Sequence, residues 1–182
     1  MRAGSATKKS SSAADVIILY TSLEKQGVNI WIDGGWGVDA LLGRKTRPHE
    51  DIDIVIEQKD LGKLREFLER KGYTDQLRDD TSDWNFVLGD QEGHLVDVHV
   101  IVLDNHGNGM YGPEEKGIMY PVGSLTGKGD IAGHPVRCIS PEWLVKFHTG
   151  YKLDAIDYQD VWALCKKFDL PIPEEYSDFQ SG

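Results

Sequence analysis

Residues 47–56 read RPHEDIDIVI, and this stretch decides how the rest of the chain is interpreted. Side chains alternate between the two faces of a β-strand, so Asp51 and Asp53 share one face and the flanking isoleucines share the other. A strand that buries its isoleucines in a core would hold the two carboxylates side by side. Adjacent carboxylates repel unless a cation neutralises them, and oxygen ligands suit a hard divalent ion. The stretch predicts a metal-binding strand; the alternative is two surface acids on an edge strand.

A glycine pair precedes Asp51 and Asp53, which are called the acid pair below. Gly34 and Gly35 stand between a predicted strand and a predicted short helix. Glycine lets a backbone approach a phosphate closely, and a helix N-terminus adds its positive dipole. Arg47 and His49 are candidates to contact phosphate oxygens or to orient the acids. The alternatives are a surface charge for Arg47 and a side chain that satisfies backbone groups for His49. Turn and acids together predict metal-assisted phosphoryl or nucleotidyl transfer.

A third carboxylate stands in the stretch HLVDVHVIVL, residues 94–103. Alternation in a strand puts the valines on one face and Asp97 with His99 on the other. Mg²⁺ favours several oxygen ligands. If this strand pairs beside the strand of the acid pair, Asp97 completes a carboxylate triad; otherwise it is a solvated acid on a half-exposed sheet.

The order of elements predicts an α/β or α+β domain with a mixed sheet and a small C-terminal helical part. Hydrophobic periodicity and turn residues predict helices over 11–26, 36–42, 59–71, 140–151 and 157–168, and strands over 28–32, 51–56, 84–88 and 94–103. A further strand is expected to begin at Tyr73, and a small hairpin is expected to turn at Gly133-His134. The rest of residues 104–133 is expected to form a long loop. The expected divisions are a disordered tail or tag remnant over 1–12, a core over 13–139, and helices with a tail over 140–182.

Composition limits the classes of partner. The formal charge is −10 over 182 residues without a basic stripe, which argues against nucleic acid as a partner. Apolar runs stay well short of the roughly 20 residues of a membrane-spanning helix. Cys138 and Cys165 are expected to be reduced and buried, and a cytoplasmic location is expected.

Several aromatic and histidine side chains could line a pocket for an acceptor molecule. The candidates are Trp36, Trp84, Tyr111, His148 and Tyr151. Aromatic residues at helical spacing belong more often to a core, which is the expectation for Trp143, Phe147 and Trp162.

Two segments carry a family resemblance. Residues 30–56, IWIDGGWGVDALLGRKTRPHEDIDIVI, resemble the signature of antibiotic nucleotidyltransferases of the DNA polymerase β superfamily, both lincosamide and aminoglycoside 2″-nucleotidyltransferases. Residues 135–161, PVRCISPEWLVKFHTGYKLDAIDYQDV, resemble the short lincosamide enzymes. The likeness extends over 28–161, with a poorly matched stretch over 103–129.

The resemblance implies a polymerase-β-like nucleotidyltransferase core that uses two Mg²⁺ ions and ATP or another nucleoside triphosphate. It matches three acids to the family's metal-binding and catalytic set, with Asp97 as a candidate general base: Asp51, Asp53 and Asp97. It matches four residues to the triphosphate side: Gly34, Gly35, Arg47 and His49. Gly35 stands where many polymerase-β-type enzymes have serine, so a hydroxyl contact to phosphate is absent.

The implied reaction is transfer of a nucleoside monophosphate to a hydroxyl of a small antibiotic, with release of pyrophosphate. Short length and the FHTGY segment favour a lincosamide, and an aminoglycoside is the first alternative. A non-catalytic nucleotide-binding module, or an enzyme that modifies a protein or metabolite, are further alternatives. The short chain leaves little room for a full acceptor domain, so a homodimer that completes the pocket is also considered.

Overall fold

The acid-pair strand lies inside a mixed sheet of the computed structural model, which describes residues 8–115 and 117–181. The strands are β1 (Ile30–Ile32), β2 (Asp51–Glu57), β3 (Thr74–Gln76), β4 (Asn85–Gly89), β5 (Leu95–Leu103), β6 (Gly109–Tyr111), β7 (Ile118–Tyr120), β8 (Gly127–Ile131) and β9 (His134–Cys138). The helices are α1 (Ala13–Glu24), α2 (Gly34–Leu42), α3 (Leu61–Glu69), α4 (Pro141–Phe147) and α5 (Ala155–Phe168). Short 3₁₀ segments cover Gln58–Asp60, Val122–Thr126 and Glu174–Ser181.

The strand order across the sheet is β3-β4-β5-β2-β1-β9-β8. In addition, β6 pairs with the C-terminal end of β5, and β7 pairs with β6. β2 runs antiparallel to β1 and parallel to β5. β1 in turn pairs parallel with β9. Together with the helices, this confirms the predicted α/β class with a mixed sheet.

Alternation in β2 follows the prediction. Ile52, Ile54 and Ile56 are buried, whereas Asp51 and Asp53 stay partly exposed on the opposite face. Each buried isoleucine contributes about 1.5–3 kcal/mol relative to an exposed one. Burial of the isoleucine face therefore fixes the register that holds the two carboxylates on the other face.

The region expected to be a long loop contains regular structure. β6 pairs with β5 through Ile101 opposite Tyr111, and β7 pairs with β6. These strands are three residues long, so period-2 alternation is too short to be visible in the sequence. The predicted hairpin of β4 and β5 is present, with Asn85 opposite His99.

The two last helices pack on α2. α4 buries Leu144, and α5 buries Val161 and Leu164 in the same core. The Lys167 Nζ donates a hydrogen bond to the Leu41 carbonyl at 2.8 Å, which ties the end of α5 to the end of α2. The division into a core over 13–139 and a helical part over 140–182 stays a prediction.

The N-terminal stretch expected to be a tail is described from residue 8 onward, and residues 1–7 lie outside the described part. Ser11 forms a β-bridge with His49. Ser12 is the N-cap of α1, where its side chain and Asp15 form a capping box. Residues 11 and 12 therefore join the fold. Within the described ranges, the helices are all too short or too polar to cross a membrane.

Candidate active site

The parallel ladder between β2 and β5 brings acids from two distant parts of the sequence together. Asp53 lies opposite Asp97 in register, and Val55 lies opposite His99. The strand pairing that was needed to bring Asp97 beside the acid-pair strand is therefore present. Asp51 lies opposite Leu95, two positions from this acidic pair.

Three side chains form a group with the spacing of metal ligands. One ligand atom from each of Asp53, Asp97 and His99 lies within 4.8 Å of the others. Asp51 is not part of this group. The observed group thus differs by one residue from the predicted triad, and metal ligation by Asp51 stays a prediction.

Negative charge is concentrated at this group. Burial raises the pKa of Asp53 well above its ordinary value, and the charges of Asp51, Asp33 and Asp97 raise it further. Burial also raises the pKa of Asp97, against the opposing effect of His99 and Arg78. Carboxylates that are this costly to ionise together are relieved by a bound cation.

The residues present fit a divalent cation. Asp97 Oδ1 is buried and, among the described residues, lacks a hydrogen-bond partner. The other oxygen, Oδ2, accepts from Arg78 Nη1 at 3.1 Å. Two carboxylates and an imidazole are ligands that Mn²⁺ and related ions accept, and the carboxylates also suit Mg²⁺.

The glycine turn lies directly against these acids. Asp33 is the N-cap of α2, and its carboxylate accepts a hydrogen bond from the Gly34 N–H at 2.8 Å. Gly34 has φ +55°, and a Cβ at this position would overlap Asp53 Oδ2. Only glycine satisfies both conditions without strain. The N-terminus of α2 is therefore held beside Asp53, as a phosphate-binding turn requires.

Arg47 and His49 support the turn from behind. A Cβ on Gly35 would overlap His49 Nδ1 and lie 2.8 Å from Arg47 Nη2. His49 is 3 % exposed, and its Nε2 lies 2.6 Å from Asp39 Oδ2. Arg47 Nη2 donates to the buried Asp160 at 2.8 Å. Contact of either residue with phosphate stays a prediction.

A cavity of about 330 Å³ opens beside the carboxylates. Its lining combines acids, the turn and an aromatic wall: Asp33, Gly34, Asp53, His99, Tyr111, Tyr120, Phe147 and His148. The aromatic rings contact one another edge to face, with centroid distances of 5.7 Å for Tyr111–Tyr120 and 5.1 Å for Tyr120–Phe147. The lining of the cavity thus combines charged groups with apolar aromatic surface.

Only part of the predicted acceptor pocket lies at this cavity. Tyr111 and His148 line it. Trp36 does not, because it is 1 % exposed and packs in the core against His49. Trp84 lies beside Gly112, and Tyr151 points its hydroxyl to Asp157 on α5, so neither lines the cavity.

Other site residues were not predicted for these roles. Phe147 was expected in the core, and although it packs against the core it also forms cavity wall. Tyr120 and Asp33 line the cavity, and Arg78 contacts Asp97. His99 carried a usable signal, because it follows Asp97 by two residues and so shares its face.

The sequence matches the aminoglycoside-2''-adenylyltransferase family over residues 15–164. A lincosamide resistance protein of Staphylococcus haemolyticus is 30 % identical over 147 residues, which is 81 % of this chain and 90 % of that protein. A 2''-aminoglycoside nucleotidyltransferase of Klebsiella pneumoniae is 32 % identical over 133 residues, covering 70 % of this chain and 67 % of that protein.

Solved structures agree with the sequence matches. The lincomycin-bound lincosamide antibiotic adenylyltransferase LnuA superposes with a TM-score of 0.74 at 29 % identity, covering 86 % of this chain and 98 % of that one. ANT(2'')-Ia in complex with adenylyl-2''-tobramycin shares the fold, with a TM-score of 0.68 at 24 % identity over 86 % of this chain and 88 % of that one. The chain therefore belongs to the aminoglycoside-2''-adenylyltransferase family and is a nucleotidyltransferase.

Proposed function

We propose that this enzyme transfers AMP from ATP to a hydroxyl group of a lincosamide antibiotic and releases pyrophosphate, in a reaction that depends on Mg²⁺ or a similar ion. The observation that carries the proposal is the cavity that joins Asp53 and the Gly34 turn to an aromatic wall. A nucleotide bound at the turn and an acceptor bound at the wall would meet at the carboxylates.

The proposed roles follow from position. Asp51, Asp53 and Asp97 would hold the divalent ion, which when bound neutralises charge on the phosphates and favours in-line displacement. The Gly34-Gly35 turn would bind phosphate oxygens through the Gly35 N–H at the start of α2, because Asp33 accepts from the Gly34 N–H, and Arg47 and His49 lie behind the turn.

Asp97 is the proposed general base. It would accept the proton of the acceptor hydroxyl, which contributes about 10²–10⁴ in rate. Positioning and charge neutralisation supply a larger share of the acceleration.

The shape and chemistry of the wall favour a lincosamide. Tyr111, Tyr120 and Phe147 offer apolar and edge-on aromatic surface, which suits an acceptor that is only partly polar. The relative whose name is a lincosamide resistance protein also aligns over 90 % of its own length. The structure of LnuA contains lincomycin.

An aminoglycoside acceptor is the second candidate. Aminoglycosides carry several amines, and the carboxylate of Asp33 at the cavity wall would bind an ammonium group. The family match and the Klebsiella relative also point to this class. Both members of the acid pair are present, which counts against a non-catalytic nucleotide-binding module.

Pyrophosphate release tests the proposal. The purified chain is incubated with Mg²⁺ and each of the four nucleoside triphosphates, together with lincomycin, clindamycin, tobramycin or kanamycin. We expect release with ATP and a lincosamide, and an adenylylated product by mass spectrometry. Release only with tobramycin or kanamycin would select the second candidate, and no release with any pair would overturn the assignment to antibiotics. The variant Asp53→Asn is the control for contaminating activity.

A further inference from the structure

We propose that His99 is a direct ligand of the divalent ion, through Nε2, together with Asp53 and Asp97. This inference rests on the proposed metal-dependent function and adds a nitrogen ligand to a site otherwise built from carboxylates. The observation behind it is the position of the His99 imidazole relative to Oδ1 of Asp97.

The distance between the two groups suits a shared ion better than a hydrogen bond. His99 Nε2 lies 3.8 Å from Asp97 Oδ1, beyond hydrogen-bond reach. Two ligands that each lie about 2.0–2.2 Å from one ion are separated by roughly 3–4 Å. Asp97 Oδ1 is also buried and unpartnered within the described residues. A buried acceptor facing an imidazole across this gap is explained by a cation between them.

The other ring nitrogen of His99 is already held. Its Nδ1 lies 3.2 Å from the Tyr111 hydroxyl. The phenol oxygen of Tyr111 is able to accept a hydrogen bond from Nδ1–H. With Nδ1–H as the donor in this bond, which is the arrangement the proposal requires, the Nε2 lone pair is free on the side of Asp97. Histidines that bind metals are oriented by such a contact at their second nitrogen.

Arg78 binds the other carboxylate oxygen of Asp97. Its guanidinium contacts Oδ2, so Oδ1 is the oxygen that remains for an ion. Asp53, opposite Asp97 in the ladder, offers the third ligand atom. Because imidazole nitrogen favours transition ions over Mg²⁺, the arrangement also predicts that Mn²⁺ binds more tightly than Mg²⁺.

Mn²⁺ alone is the probe for the test. Pulsed electron paramagnetic resonance of the Mn²⁺-loaded full chain detects a coordinated ¹⁴N nucleus through its electron spin echo modulation. We expect this modulation in the wild type and in His106→Gln, which changes a histidine in the turn after β5. We expect its loss in His99→Gln, with Mn²⁺ affinity lower by about 10–100-fold. Tyr111→Phe is expected to keep the nitrogen signal and to weaken Mn²⁺ binding by a smaller factor.

Two further samples guard against misinterpretation. His148→Gln removes the other imidazole at the cavity and is expected to keep the nitrogen signal. Wild-type protein labelled with ¹⁵N-histidine is expected to show ¹⁵N in place of ¹⁴N coupling, which tests histidine ligation even if His99→Gln fails to fold.

The outcomes separate the inference from the proposed function. Mn²⁺ binding without nitrogen modulation in the wild type, or modulation that persists in folded His99→Gln, overturns the role of His99 and leaves the metal-dependent reaction intact. Failure of the wild type to bind Mn²⁺, with or without ATP, overturns both.

Discussion

Asp53 lies directly opposite Asp97 in the parallel ladder between β2 and β5, and the negative charge of Asp97 is among the charges that raise the pKa of Asp53. Replacing Asp53 by asparagine removes one of these like charges. At pH 8 without metal, we expect Asp53→Asn to raise the stability by about 1 kcal/mol and the Tm by about 2–4 °C. Turnover is expected to fall by roughly 10³-fold, and Asp51→Asn to be similarly impaired. Calorimetry in EDTA and pyrophosphate assays measure both; full activity in either variant would contradict the proposed metal site.

Close approach of the Gly34 turn to Asp53 makes a second prediction. A Cβ at Gly34 would overlap the Asp53 carboxylate, so Gly34→Ala should lose activity. Gly43 is the matched control, because it also has positive φ, +71°, but a Cβ there meets nothing within 4 Å. Both variants are expected to lose about 1–2 kcal/mol from backbone strain in denaturant unfolding. Equal activity of the two variants would show that the turn does not act at the site.

The buried ion pair of Arg47 and Asp160 predicts a stability effect that reaches the turn. Asp160→Ala leaves the guanidinium of Arg47 uncompensated, so we expect a loss of about 3–5 kcal/mol. Asp75→Ala breaks the exposed pair with Arg65 and is expected to cost at most about 1 kcal/mol. Urea unfolding of both variants gives the comparison. A similar cost for the two pairs would mean that burial does not govern the Arg47 contact.

Much of the framework of the candidate site could be predicted from local sequence. Alternation around Asp51 and Asp53 fixed which residues face the core, because isoleucines at every second position leave one register that buries them. The same rule applied to residues 94–103 put Asp97 and His99 on one face. These predictions succeeded because burial alternates over the first four residues of β2 and the first six of β5, longer than the three-residue strands β6 and β7.

The cavity wall lay beyond such local rules. Tyr120 belongs to a three-residue strand, too short for alternation to be detected. Arg78 reaches Asp97 from the irregular segment between β3 and β4, and only tertiary structure defines that contact. Trp36 packs in the core and does not line the cavity, and an aromatic residue next to a glycine turn has the same local sequence in either position.

The Asp90–His94 turn predicts a pH dependence of stability. Burial alone would raise the pKa of Asp90, but hydrogen bonds from the His94 ring, its backbone N–H and the Glu92 N–H outweigh burial and lower it. A lowered folded-state pKa contributes stability that is full above the unfolded value near about 3.9 and is lost as pH falls through the folded value. Asp90→Asn should therefore be less stable than wild type at pH 6, and the gap should close below about pH 4. A gap that is unchanged at pH 3 would refute this account.

Phe147 gives a prediction that separates the acceptor from the nucleotide. Its ring lines the cavity at the end of α4, whereas Trp143 packs against Phe147, with ring centroids 5.9 Å apart, without lining the cavity. Phe147→Leu shortens the wall, so we expect KM for a lincosamide to rise about tenfold while KM for ATP changes little. Trp143→Leu, the matched control, should lower stability without this selective rise. Steady-state kinetics with each substrate varied in turn measure both constants. A rise in KM for ATP alone would place the nucleotide, rather than the acceptor, against the aromatic wall.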